Sequence, residues 1–182
     1  MHFNALLLSA LISGGAMANY NIKLYEHRNC LFKVAHECTN IAEKVCCNDD
    51  GEKFKSGKFE EVGGGKTTDN LKLYKEDDCG GFDVAQRTGG DCVSYKDKEI
   101  EGAKVFIVIE PGSKRDVEEK DDGPVKRVRP DTISLEEGRF KYSIKRDSPA
   151  GIAFGKLTQI EHKRDHLITF GKREEIPESQ LE

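Results

Sequence analysis

The stretch Ile22-Lys-Leu-Tyr-Glu-His-Arg-Asn-Cys30 recurs as Leu71-Lys-Leu-Tyr-Lys-Glu-Asp-Asp-Cys79, and the fold follows from reading the two together. Each copy opens with an apolar residue, continues Lys-Leu-Tyr and closes on a Cys after Asn or Asp. The match runs on through Phe32-Lys-Val-Ala-His36 and Phe82-Asp-Val-Ala-Gln86, and each copy then reaches another cysteine, Cys38 or Cys92. Two copies about 50 residues apart indicate two related units that bury a face against each other. Both read as strands, because Asn21-Ile-Lys-Leu-Tyr25 and Asn70-Leu-Lys-Leu-Tyr74 alternate polar and apolar with period two. Lys104-Val-Phe-Ile-Val-Ile109 is a β-branched run suited to a buried strand, and the glycines at 63–65, 80–81 and 89–90 mark turns. Only Cys38 to Cys47, with Ile41, Ala42 and Val45 near helical spacing, suggests a short helix or a cysteine-bearing turn. The fold class is therefore mostly β, with Tyr25, Tyr74, Phe32 and Phe82 expected in or near the core.

Upstream of the repeat, Ala5 to Ile12 is an apolar run followed by Ser13, Gly14, Gly15 and Ala16-Met17-Ala18. An apolar segment of that length before small residues reads as a secretory signal peptide over residues 1–18, removed by signal peptidase so that the mature chain begins at Asn19. Export sets the redox context for six cysteines, Cys30, Cys38, Cys46, Cys47, Cys79 and Cys92. An even number in an oxidising compartment reads as three disulfides. Adjacent Cys46 and Cys47 are expected to bond different partners, and the connectivity is otherwise open. No Cys-x-x-Cys occurs, so zinc is not expected and no cofactor is implied. No other apolar run approaches 18 residues, which excludes a membrane span. The net charge of -4 disfavours nucleic acid as a partner.

All six cysteines lie between 30 and 92, and the composition changes after Pro111-Gly112. Residues 19–113 carry 18 acidic and 14 basic side chains; residues 114–182 carry 15 of each. The expected domains are thus a disulfide-rich β module over 19–113 and a charged, repetitive tail over 114–182. Five of nine arginines follow a lysine, all of them in this tail, where composition predicts about one such pair in the chain. The pairs are Lys114-Arg115, Lys126-Arg127, Lys145-Arg146, Lys163-Arg164 and Lys172-Arg173. Ile152-Ala-Phe-Gly-Lys156 is echoed by Ile168-Thr-Phe-Gly-Lys172. Two readings stand side by side: processing sites in an exposed tail, or surface charge on further strands such as Arg139-Phe-Lys-Tyr-Ser-Ile144.

Two resemblances follow from these residues. The repeated Ile-Lys-Leu-Tyr strand and its polar corner resemble the paired Greek-key motif of βγ-crystallin-like secreted proteins, a group that includes small microbial killer toxins, over about residues 20–110. In the second copy Gly81 stands seven positions after Tyr74, where the family's corner calls for a residue tolerant of positive φ. In the first copy Phe32 takes that place. The family's calcium motif is not matched, so no metal is carried over, and Asp49-Asp50 and Asp77-Asp78 read as solvated turns. The Lys-Arg pairs resemble the cleavage signals of kexin-type proteases, with Phe170-Gly171-Lys172-Arg173 also similar to an animal amidation signal. Such cleavage implies peptides such as Val128 to Ile144 and Asp147 to His162 as products.

Signals for catalysis are sparse. His27 and His36 are the histidines of the cysteine-rich module, and either can be paired with Glu26 or Glu37 as a general base, although a His beside an acid is far more often a solvated surface pair. Gly63-Gly-Gly-Lys-Thr-Thr68 lacks phosphate-loop spacing, since Glu60 stands where the leading Gly belongs. The leading expectation is a secreted, extracellular, non-enzymatic module that binds an extracellular protein or cell-surface target in a killer-toxin-like or effector-like manner. The alternatives are a precursor of tail peptides cut by a kexin-type protease, and a secreted hydrolase using His27 or His36.

Overall fold

The computed structural model describes residues 18–96, 99–108 and 125–178. The expected leader lies at 1–17 outside them apart from Ala18, as do Lys114-Arg115 and the boundary near 113. The first unit contains β1 (Asn19–Tyr25), β2 (Val34–Ala42), β3 (Cys46–Asn48) and β4 (Ser56–Gly63). The second contains β5 (Asn70–Tyr74), β6 (Asp83–Thr88), β7 (Val93–Ser94) and β8 (Gly102–Phe106). After them come β9 (Arg127–Val128), β10 (Thr132–Glu137), β11 (Phe140–Lys145), α1 (Pro149–Phe154), α2 (Ile160–Phe170) and β12 (Lys172–Glu175). The protein is mostly β, as expected. The helix considered around Cys38–Cys47 is instead the end of β2, a turn and β3, because strand pairing on both sides overrides a short helical spacing.

The strands form two sheets, ordered β12-β11-β10-β2-β1-β4-β7 and β6-β5-β8-β3-β9. The third strand of each unit crosses to the sheet of the other: β3 pairs with β8, and β7 with β4. The two repeats pair their first two strands alike. Leu24 faces His36 and Tyr25 faces Ala35 in the first, while Leu73 faces Ala85 and Tyr74 faces Asp83 in the second. Their corners match as well, with Cys30 at φ 51° and Phe32 at 63°, against Cys79 at 50° and Gly81 at 66°. Phe32 thus adopts the left-handed conformation that glycine supplies in the other copy.

Period-two alternation places Tyr20, Ile22, Leu24 and Phe59 of one sheet against Leu71, Leu73, Ala103 and Val105 of the other. Each large apolar side chain among them, fully buried, stabilises the fold by roughly 1.5–3 kcal/mol. Tyr25 and Tyr74 are buried as expected, but Phe32 is 54% and Phe82 96% exposed. The left-handed residues at each corner break the alternation, so the aromatic ring that would continue the inward register swings out to solvent.

All six cysteines are bonded, Cys30–Cys92, Cys38–Cys47 and Cys46–Cys79. Neighbouring strand residues point to opposite faces, so Cys47 reaches across the sandwich to β2 while Cys46 reaches outward to the corner after β5. Each bridge restricts the unfolded chain and contributes roughly 2–4 kcal/mol.

Residues 127–175, read from the sequence either as part of an exposed charged tail or as further strands, extend both sheets. Here β9 pairs parallel with β3, and β10 pairs antiparallel with β2, carrying β11 and β12 beyond it. A second core of Val34, Ile133, Leu135, Ile144, Phe154 and Leu167 holds this addition to the front. Its charges do not keep it solvated, because many of them pair with charges of the first unit. Ser148 starts α1 by accepting the Gly151 amide at 3.1 Å, with Pro149 in the first turn. Gly171 lets the chain leave α2 flat against β11: a Cβ there would collide with the Leu167 carbonyl and lie 3.1 Å from the Ser143 amide nitrogen.

Candidate functional site

The face of the larger sheet that points away from the sandwich core is polar at most positions, and its centre is a charged row. Lys23 of β1 is 1% exposed and donates to Glu60 and Glu136, with Glu37 at 3.8 Å. Burial pulls the Lys23 ammonium down, but the three carboxylates more than offset it and its pKa is raised. Burial likewise opposes ionisation of Glu136, yet Lys23 and Lys58 hold its carboxyl down at about 2. Glu37, also buried, accepts from Ser134 and from Lys141 at 2.9 Å. Lys23 and Glu37 look solvent-facing in the sequence pattern; what buries them is β10 and β11 laid alongside.

Next to this row lies a cleft of about 900 Å³. Its floor is the outer face of the sheet, with Asn21 from β1, Glu37 and Thr39 from β2, Thr132 from β10, and Lys141, Ser143 and Lys145 from β11. Lys172 and Glu174 of β12 form one side. Pro149, Ala150 and Ala153 of α1 form an apolar wall with Phe170, largely exposed at the end of α2. His166 braces this wall by donating through Nε2 to the Ala150 carbonyl at 2.8 Å, and its ring lies 4.7 Å from that of Phe170. Wide, open, apolar on one side and hydrogen-bonding on the other, the cleft has the build of a ligand site. No motif marks it, since its residues come from seven elements at the two ends of the described chain, β1 and β2 at one and β10 to β12 at the other.

The two histidines singled out from the sequence separate. His27 stacks edge-on against Phe32 at 4.7 Å, at the exposed corner. His36 is buried beneath Phe54 and Phe154, whose rings lie 5.3 and 6.3 Å away. Acids do converge on it: Nδ1 is 3.0 Å from Asp49 and Nε2 3.6 Å from Glu26. Burial alone would lower the His36 pKa, but the two carboxylates raise it. In turn His36, and after it Lys163, outweigh burial at Glu26 and hold that carboxyl at about 2. Asp49, read from the sequence as a solvated turn, is buried and ion-paired to Arg146, while its neighbour Asp50 is exposed and pairs with Arg129. Glu37, the other acid considered for a histidine, faces the opposite side of β2 from His36, as period two requires. The cluster joins the front of the chain, through Glu26, His36 and Asp49, to Arg146 and Lys163 of the C-terminal addition.

The basic pairs are likewise engaged. Arg127 lies in β9, 3.9 Å from Asp78, directly after Lys126. Lys145 pairs with Asp131 at 2.9 Å and Arg146 with Asp49. Within α2, Lys163 pairs with Glu26 and Arg164 with Glu137. In β12, Lys172 pairs with Glu174 at 2.6 Å and Arg173 stacks 3.6 Å over Phe140. These four pairs sit in or beside regular structure, whereas a protease cleft requires an extended strand free of partners.

Residues 21–131 match the family model described as the ARB_05566_N N-terminal domain, and the chain belongs to that family. The matched part spans both repeats and β9 and stops where β10 begins, so most of the C-terminal addition lies beyond it. No curated protein and no solved structure gives a match.

Proposed function

We propose that this protein is a secreted, non-enzymatic binding module, braced by disulfides, that recognises an extracellular surface target through the cleft beside α1. The cleft carries the reading: it is large enough for a small ligand or a segment of a larger one, and it combines an apolar wall with a charged, hydroxyl-bearing floor. Three disulfides and the absence, among the described residues, of a helix long and apolar enough to cross a membrane support the extracellular setting. The exchange of third strands between two repeated units supports a βγ-crystallin-like Greek-key pair with a C-terminal extension. A hydrolase built on His36 fits less well, because that ring is buried, does not line the cleft and points to the face of β2 opposite the cleft floor. The test uses oxidised, purified full chain labelled at its amino terminus and incubated with intact cell-surface preparations. Saturable binding that is lost in Ala153→Trp, which fills the cleft, supports the reading. Equal binding by that variant, with its melting temperature kept, overturns it.

A further inference from the structure

Resting on the reading of the cleft as the binding site, we propose that it takes a short acidic oligosaccharide, a run of uronate-type sugars whose carboxylates meet three lysines grouped around Ser143. Ser143 of β11 lies directly opposite Lys172 of β12. Lys141 and Lys145 flank it two positions away on the same strand, and therefore on the same face. Three lysine positions thus flank Ser143, and the Lys141 and Lys145 side chains lean across the sheet to meet Glu37 and Thr132, which lie opposite each other on β2 and β10. A cleft of about 900 Å³ suits more than one sugar ring rather than a single small anion.

The lysines differ in how firmly they are held. Lys141 is tied to buried Glu37 at 2.9 Å and is a fixed cation on the floor. Lys145 and Lys172 are 63% and 76% exposed, and their pairs with Asp131 and Glu174 are surface pairs, which typically contribute only about 0–1 kcal/mol. An incoming carboxylate replaces those partners at little cost. Each of the three lysines faces one carboxylate, Glu37, Asp131 or Glu174, so the site is locally balanced on a chain of net charge -4, and exchange of the two exposed partners opens Lys145 and Lys172 to an anion. Asn21, Thr39 and Thr132 are placed to meet sugar hydroxyls, and exposed Phe170 offers a ring for the C–H face of a pyranose. A peptide is the weaker fit, because β10 is paired on both sides and β12 covers β11 over Phe140–Ser143, which leaves no long open backbone edge on the floor.

Calorimetric titration of the oxidised full chain with tetragalacturonate tests this, alongside a neutral tetrasaccharide of equal length, an acidic tetrapeptide and inorganic phosphate. The expected result is saturable binding of tetragalacturonate alone, weakened at least tenfold by Lys145→Gln combined with Lys172→Gln, and weakened by added salt. Both substitutions are on exposed side chains, and an unchanged melting temperature together with amide shifts confined to Ser143, Lys172 and their neighbours confirms a folded site. No binding, binding indifferent to the double substitution, or equal or tighter binding of the neutral sugar, the peptide or phosphate overturns the proposal. If Ala153→Trp abolishes attachment to cell surfaces while tetragalacturonate fails to bind, the cleft remains the binding site and only the acidic sugar is refuted.

Discussion

Replacing Lys23 by Met removes the cation that Glu37, Glu60 and Glu136 enclose, and the size of the effect follows from their geometry. Lys23 and Glu37 are equally buried, while Glu136 retains 16% exposure and Glu60 39%. Removing one partner from a buried ion pair costs about 3–5 kcal/mol. The electrostatics point the same way: Lys23 and Lys58 together hold the Glu136 carboxyl at about 2 against an ordinary 4.5, roughly 3 kcal/mol at about 1.4 kcal/mol per unit, of which Lys58 supplies a part. Glu60 adds little, being well exposed. Because the folded value of Glu136 is lowered, its stabilisation is fully present above about 4.5 and disappears as pH falls toward about 2. Urea unfolding with the disulfides intact is therefore expected to show Lys23→Met about 3 kcal/mol less stable than the parent at pH 7, with the gap closing at about pH 2.5. There the acids of the variant are protonated and no longer repel one another, while in the parent Glu136, at about 2, has begun to lose the charge that holds Lys23. A gap below about 1 kcal/mol at pH 7, or one that persists unchanged in acid, refutes the claim that this lysine neutralises the outer face of the sheet.

Two further outcomes follow. The pKa of His36 is raised in the folded chain, so its contribution to stability is complete below its ordinary value of 6.5 and is lost as pH rises through the folded value. Thermal melts taken from about pH 5.5 to 9 are expected to fall across that window in the parent and to lose that component in His36→Gln; the same slope in both counts against the Asp49 and Glu26 pairing. Leu167 is fully buried in the second core, and Leu167→Ala is expected to cost about 2–5 kcal/mol and to loosen α2. A kexin-type protease is then expected to cut after Arg164 at least tenfold faster than in the parent, where that pair is helical and bound to Glu26 and Glu137. Equal cleavage of both chains, followed by mass spectrometry, favours a processed tail instead.

Several local features of the fold are legible from residue order because they are set by neighbours along the chain. Alternation over Asn21 to Tyr25 and Asn70 to Tyr74 marks β1 and β5, since a strand's side chains must point in turn to core and solvent. The same rule sends Cys46 and Cys47 to different partners. Repetition predicts two equivalent corners, and Phe32 and Gly81 have matching φ angles. What alternation cannot convey is where a corner breaks it, and for that reason Phe82 lies in solvent rather than in the core.

The candidate site was hidden for a different reason. Lys145, Lys172 and Ser143 carry no spacing that sets them apart from other charged or hydroxyl-bearing positions; they meet because β12 returns antiparallel beside β11 after two helices. His36 could be named as a histidine near acids, but Asp49, Arg146 and Lys163 gather around it only across the packed interface of front and back.

By itself, then, the amino-acid order determined the strand character, the duplication and the even set of bonded cysteines, all of which depend on short-range periodicity and composition. Only the tertiary structure decided that residues 127–175 join the sheets, that their Lys-Arg pairs neutralise acids from the first unit, and that a cleft opens beside α1. The physical reason is that the charge of a segment says nothing of where its counter-charges lie. Fifteen acids and fifteen bases read as solvated until strand pairing brings partners from about a hundred residues away within reach.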